Sequence, residues 1–194
     1  MALVLGLGNP GARYARTRHN VGWRVLERLV GRWEARPVAG HDAWRAWRAE
    51  RSGRPVDLVA PLTYMNASGD ALAGWRERHG LDPAEMLVVV DDVYLPVGSL
   101  RMRVAGSSGG HRGLESVEAV VGRDFARLRV GVGAATEAAE LREHVLDEFD
   151  EEERAVVDEA VERAADAVEC WLDEGALAAM NRFNRRTRME EPES

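Results

Sequence analysis

The side chains of this sequence best suited to moving a proton lie just beyond its apolar runs. Asn9, Tyr14, Arg18, His19 and Asn20 crowd the stretch after residues 2–7, a high density of hydrogen-bonding groups directly after a core segment. His19 alone among them titrates near neutral pH. A lone histidine more often serves structure than chemistry, and a base needs an orienting acid. Asp91 and Asp92 follow the apolar residues 87–90, at the end of a second such segment, where a carboxylate could meet a histidine from another strand. A carboxylate on one imidazole nitrogen fixes the tautomer and leaves the other nitrogen to accept a proton from water. Either aspartate could take that part. Asn9, and Asn66 within Thr63-Tyr64-Met65-Asn66-Ala67-Ser68-Gly69, add amides that donate and accept without charge. Ser68 is placed to cap the helix that follows.

Other chemistries fit less well. Gly6-Leu7-Gly8-Asn9-Pro10-Gly11 has the glycine spacing of a dinucleotide fingerprint, but helical periodicity resumes only at Val21, too late to set a helix N-terminus under a pyrophosphate. A tight turn presenting Asn9 is the simpler reading. Ser107-Ser108 lacks the pattern of a nucleophile elbow. The small-residue loop 106–113 offers backbone amides to a ligand, with His111 and Arg112 expected to reach outward. Arg101, Arg103, Arg123, Arg127 and Arg129 alternate along neighbouring segments, as a phosphate track on one face would require.

The elements that must hold these groups are short. Residues 2–7, 56–60, 86–90 and 128–132 are short, largely apolar runs, the pattern of buried strands. Residues 21–33, 68–79 and 113–121 carry apolar side chains at helical spacing. Their alternation predicts an α/β sandwich. Trp44, Trp47, Ala49 and Ser52-Gly53 suit a hairpin strand within 35–55. Residues 147–172 predict one long amphipathic helix, with Val156, Val157, Ala160, Ala164, Ala167, Val168 and Trp171 on the packed face and a solvated acidic face opposite. Gly175 ends it, a further helix is expected over 176–186, and the polar tail 189–194 is expected to fray.

With 194 residues, 45% of them hydrophobic, the chain can bury one ordinary core. Its single cysteine, Cys170, excludes an internal disulfide and a thiolate metal cage, and fits a reducing, cytoplasmic setting. Neither a secretion signal nor a membrane helix is expected. The net charge of −7 argues against a nucleic-acid partner only until it is divided. Residues 137–180 hold 16 acidic and 3 basic residues, leaving 23 basic and 17 acidic elsewhere, so the remainder is positive. All 26 basic residues are arginine, which suits bidentate phosphate contacts.

These motifs, with Thr17-Arg18-His19-Asn20-Val21-Gly22, Leu95-Pro96-Val97-Gly98, Gly109-Gly110-His111-Arg112-Gly113-Leu114 and residues 127–133 and 144–146, stand in the order and approximate spacing of the bacterial peptidyl-tRNA hydrolase family. The chain resembles that family over nearly its whole length. The resemblance implies a monomeric, three-layer α/β globule with a mixed, mostly parallel central sheet, one domain over residues 1–188, and no metal or organic cofactor. It implies hydrolysis of peptidyl-tRNA by water. His19 matches the general base, and counting back from Leu95-Pro96 makes Asp91 its carboxylate. Asn9 matches the residue that reads the peptide backbone, and Asn66 the amide that helps hold substrate or water. Tyr14 and Tyr64 match contacts to the tRNA end, Met65 lines the same crevice, and His111 and Arg112 belong to the substrate loop. Arg101, Arg103 and Arg129 fall where the family carries basic residues for phosphates. Two positions depart from the pattern: Arg112 replaces a usual asparagine, and Tyr94 a frequent aspartate. They keep open a second reading, a non-catalytic RNA-binding relative.

Overall fold

Strands that are apolar at every position must be covered on both faces, and the chain supplies two sets of helices to do so. A computed structural model describes residues 1–134 and 141–184. Its elements are β1 (Ala2–Gly6), α1 (Val21–Arg32), β2 (Arg36–Pro37), β3 (Trp44–Arg51), β4 (Arg54–Pro61), α2 (Ser68–His79), β5 (Met86–Asp92), β6 (Leu100–Arg103), α3 (Arg112–Val121), β7 (Ala126–Gly131), α4 (Leu141–Leu146), α5 (Glu151–Glu174) and α6 (Ala176–Phe183). The sheet order is β2-β3-β4-β1-β5-β7-β6. Strands β4, β1, β5 and β7 run parallel in the centre, and β2, β3 and β6 add antiparallel edges.

Successive residues of a strand point to opposite faces, and the core divides accordingly. Ala2 and Val4 of β1 pack with α1, α5 and α6, whereas Leu3 and Leu5 pack with α2 and α3. The result is the expected three-layer α/β architecture. The chain leaves β1 toward β4 with α1 on one face and returns from β4 to β5 with α2 on the other. Such a reversal opens a crevice beyond the carboxyl ends of the strands.

Gly22 sets how closely α1 approaches that crevice. A Cβ there would lie 2.5 Å from the Val89 carbonyl oxygen and 2.6 Å from that of Leu7, and neither backbone can yield. Gly22→Ala is therefore expected to cost about 1–3 kcal/mol or more, the range for overpacking, read as a lower midpoint in urea unfolding.

The hairpin expected within 35–55 is present: β3 pairs β4 from Trp44–Pro61 to Arg51–Arg54, and Ser52 and Gly53 turn it with φ of 50° and 75°. Three expectations need correction. The long helix begins at Glu151, not 147, because Asp150 caps it: its side chain accepts the Glu153 N–H while Glu153 returns a bond to the Asp150 N–H. Val156 is exposed at 46%, so the packed face starts with Val157. Ser68 caps nothing; its hydroxyl donates to the Met65 carbonyl, 2.8 Å away. The acidic face of α5 is solvated as expected, with Asp158 and Asp166 exposed, but it is also paired. Arg24, Arg28 and Arg32 of α1 stand one helical turn apart and bind Asp158, Glu162 and Asp166. At the far edge, the Asn184 amide takes both backbone groups of Met102, at 2.6 and 3.0 Å, closing part of β6. The helix expected over 176–186 ends at Phe183, with Asn184 as its C-cap; residues 185 and 186 and the tail 189–194 lie outside the described residues. Among those residues, no helix is long and apolar enough to cross a membrane.

Candidate active site

His19 sits in a 3-10 turn, Arg18–Asn20, immediately before α1, and its two neighbours are buried and fixed. The Arg18 guanidinium donates to both carboxylate oxygens of Glu153, at 2.9 and 2.7 Å, and to the Val132 carbonyl at 3.0 Å, and lies over the Phe149 ring. The Asn20 amide embraces the backbone of Asn9: its oxygen accepts the Asn9 N–H and its nitrogen donates to the Asn9 carbonyl, each at 2.9 Å. The turn is thus tied to α5 on one side and to the end of β1 on the other.

His19 Nδ1 lies 2.8 Å from Asp91 Oδ1, and His111 Nε2 lies 2.9 Å from the same oxygen. Asp91 is the penultimate residue of β5 and is 1% exposed. The protons can be assigned from the bonding. The Leu114 N–H donates to His111 Nδ1 at 3.2 Å, so the His111 proton resides on Nε2 and points at Asp91. The carboxylate likewise takes the proton of His19 Nδ1, which leaves His19 Nε2 with a lone pair. Burial pushes the His19 pKa down, but the charge of Asp91 and its hydrogen bond outweigh this, and the net shift is upward. Burial also acts to raise the Asp91 pKa, yet the two imidazoles hold it well below the usual carboxylate range. Asp92 is otherwise engaged: it accepts the Tyr94 N–H at 2.8 Å and an Arg129 bond at 3.3 Å. Asp91 is the aspartate at His19.

His19, Asp91 and His111 place three ligand-type atoms within 4.8 Å of one another. As hydrogen-bonded here they share protons rather than present lone pairs. A cation taking His111 Nε2 would force that proton to Nδ1, against the Leu114 N–H.

The crevice around the pair has a volume of about 500 Å³. Asn9 and Met65 form its floor, Tyr14, Tyr64 and Tyr94 stand around it, and Leu141, Val145 and Leu146 of α4 and its end make an apolar wall. Tyr14 and Tyr64 meet edge to face at 6.4 Å. Asn66 and Arg112 line the crevice and are exposed. Asn9 Oδ1 accepts the Met65 N–H at 2.8 Å, which turns the amide so that Nδ2 faces outward as a donor only. Asn9→Asp keeps that acceptor but sets a second anionic oxygen where the donor stood. A loss of at least about tenfold in kcat/KM is expected, as for other charge-bearing hydrogen-bond losses, with an unchanged melting temperature.

The loop residues 109–113 come closer than their sequence implies. His111 does not reach outward; it caps α3 and turns its ring onto Asp91. Gly113 permits this, since a Cβ there would lie 2.5 Å from Met65 Sδ and 3.0 Å from the His111 ring. Arg101 and Arg129, and Arg103 and Arg127, are cross-strand pairs on one face, yet they do not form a uniform phosphate track. Arg127 is 1% exposed, bonded to Glu118 and to the Gly106 and Arg123 carbonyls. Arg129 is largely committed to Asp92 and to the Ser107 and Ser108 carbonyls. Arg123 pairs with Glu118. Arg101 and Arg103 are exposed at the sheet edge, outside the crevice. Sequence reasoning missed the Asn20 bracket, the His111 contact to Asp91 and the α4 wall; only the polar density around residue 20 hinted at the first.

A histidine with an open nitrogen, oriented by a buried carboxylate in a crevice at the strand ends, has the make-up of an α/β enzyme that works by general-base catalysis. Comparison narrows the class. A family model described as peptidyl-tRNA hydrolase matches residues 3–191. The peptidyl-tRNA hydrolase of Rubrobacter xylanophilus is 48% identical over 188 residues, covering 94% of this chain and 99% of its own. That of Roseiflexus castenholzii is 46% identical over 186 residues, covering 95% and 87%. The crystal structure of peptidyl-tRNA hydrolase from Acinetobacter baumannii superimposes with a TM-score of 0.89 at 31% identity, covering 95% of this chain and 94% of that one. The chain belongs to the peptidyl-tRNA hydrolase family.

Proposed function

We propose that this protein, acting as one domain over residues 1–188 and as a cytoplasmic monomer, hydrolyses the ester between a peptide and tRNA and so returns tRNA to use. The observation that carries the reading is the His19–Asp91 pair, whose unbonded Nε2 belongs to a crevice that also presents the Asn9 donor. Asp91 holds the proton of His19 on Nδ1, and Nε2 takes a proton from water as the oxygen attacks the ester carbonyl carbon. The developing oxyanion is met by amide donors, Asn9 Nδ2 and Asn66, already in place before the reaction. Collapse breaks the bond to the ribose oxygen, which receives the proton held by His19. The products are tRNA with a free terminal hydroxyl and a peptide carboxylic acid, which releases the second proton of the water to solvent and leaves as the carboxylate.

Each remaining part has a task in this scheme. His111, fixed by the Leu114 N–H, shares Asp91 and keeps its carboxylate aligned. Tyr14, Tyr64 and Met65 give the terminal adenosine an aromatic and apolar bed. Arg101, Arg103 and the exposed part of Arg129 bind backbone phosphates, whose attraction is electrostatic and indifferent to sequence. No metal, organic cofactor or acyl-enzyme takes part.

The test is a single-turnover reaction of an N-acetylated aminoacyl-tRNA, quenched in acid at successive times, with the protein weighed by mass spectrometry. Release of the acyl group with the protein mass unchanged throughout is expected. A transient mass increase equal to the acyl group would overturn direct attack by water, and tight binding without release would overturn the enzymatic reading in favour of an RNA-binding protein.

A further inference from the structure

The charged groups of the crevice fall into two kinds. Asp91 is enclosed between two imidazoles, and Asp92 and Arg129 bind each other. Arg112 differs from them: it lines the same crevice, is exposed, and has no hydrogen bond or ion pair among the described residues. It is also the first residue of α3, where the helix end is partly positive and a cation is disfavoured. The position thus carries an electrostatic cost with no compensating contact inside the protein. It directly follows His111, whose ring is held on Asp91, so the guanidinium starts from a backbone fixed beside the reacting centre.

We infer that Arg112 is a specificity-determining subsite that binds an anionic group of the substrate. A planar guanidinium pairs with two oxygens at once, so its partner is a carboxylate or a phosphate. Peptidyl-tRNA offers both: an acidic side chain on the esterified residue, or a phosphodiester near the tRNA end. The inference rests on the proposed hydrolysis, since it names part of that substrate.

The experiment compares wild type, Arg112→Gln and Arg112→Lys on one tRNA carrying either N-acetylglutamate or N-acetylglutamine, over a range of salt. Circular dichroism and thermal melting establish that the exposed substitution leaves the fold unchanged. Arg112→Gln is expected to lower kcat/KM by about tenfold or more, the size of a lost charge-assisted bond, chiefly through KM, with partial recovery in Arg112→Lys. If the anion is the carboxylate, the loss is confined to the glutamate substrate. If it is a phosphate, both substrates lose equally and the salt slope falls by about one. Kinetics of Arg112→Gln within twofold of wild type on both substrates, beside an active wild type, would overturn the subsite alone. A wild type that releases neither substrate overturns the subsite together with the proposed function.

Discussion

Replacing His19 with alanine is expected to reduce kcat/KM on an N-acetylated aminoacyl-tRNA by about 10²–10⁴-fold, the usual contribution of a positioned general base. The fall should appear in kcat, with KM little changed, because in the proposed mechanism His19 acts when the proton moves and not when the tRNA docks. The fold should survive. His19 is only partly buried and its side chain makes one bond, to Asp91, while Asp91 keeps His111. The linkage can be signed. The folded pKa of His19 lies above its ordinary value, so the stability from its charged form is present below about pH 6.5 and is lost as pH rises through the folded pKa. Urea unfolding of wild type and variant should therefore differ most in mild acid and converge at alkaline pH. A variant retaining near-wild-type turnover would remove His19 from the role of base.

Asp91→Asn is expected to be nearly as damaging and to carry a signature of its own. The wild-type rate should rise with pH through the His19 pKa, with half-maximal kcat/KM above pH 6.5, since Asp91 raises that pKa and only neutral imidazole can accept a proton. Removing the carboxylate leaves burial, which lowers the pKa, unopposed. The acidic limb should move to lower pH while the plateau falls by about 10²-fold or more, because the tautomer is no longer enforced. A plateau loss with an unmoved limb would show that Asp91 supports the fold without tuning the base. The depressed pKa of Asp91 has a second effect: the stability it provides is present above the ordinary carboxylate range and is lost as pH falls toward its folded pKa.

What the sequence made visible was mostly burial. Strands β1, β4, β5 and β7 declared themselves because they are covered on both sides and largely apolar, and α1, α2 and α3 because one face of each meets the sheet. Strand β6, of four residues alternating buried and exposed, was legible only as alternating arginines, and α4, of six residues, is too short for a period to register. Periodicity says which face is covered and not by what. That is why the pairing of the exposed α5 acids with arginines of α1 could not be read from them, and why Arg127 looked like a surface cation although Glu118 and two carbonyls enclose it. In the site, Asn9, His19, Asn66 and the aspartate pair could be named from type and position after strands. The Asn20 bracket and the turn of His111 toward Asp91 depend on side-chain angles and on contacts 11 and 20 residues apart, which composition does not encode.

His111 caps α3 with an imidazole, a residue that serves there less well than serine, aspartate or asparagine. The shorter caps would hold the helix better, yet none supplies a ring that fills the helix start with one nitrogen and meets Asp91 with the other. Local stability at this position has therefore been given up to keep a carboxylate aligned. Selection for heat resistance and selection for turnover pull position 111 in opposite directions, making it a site where a thermostable variant of this enzyme would be a slower one.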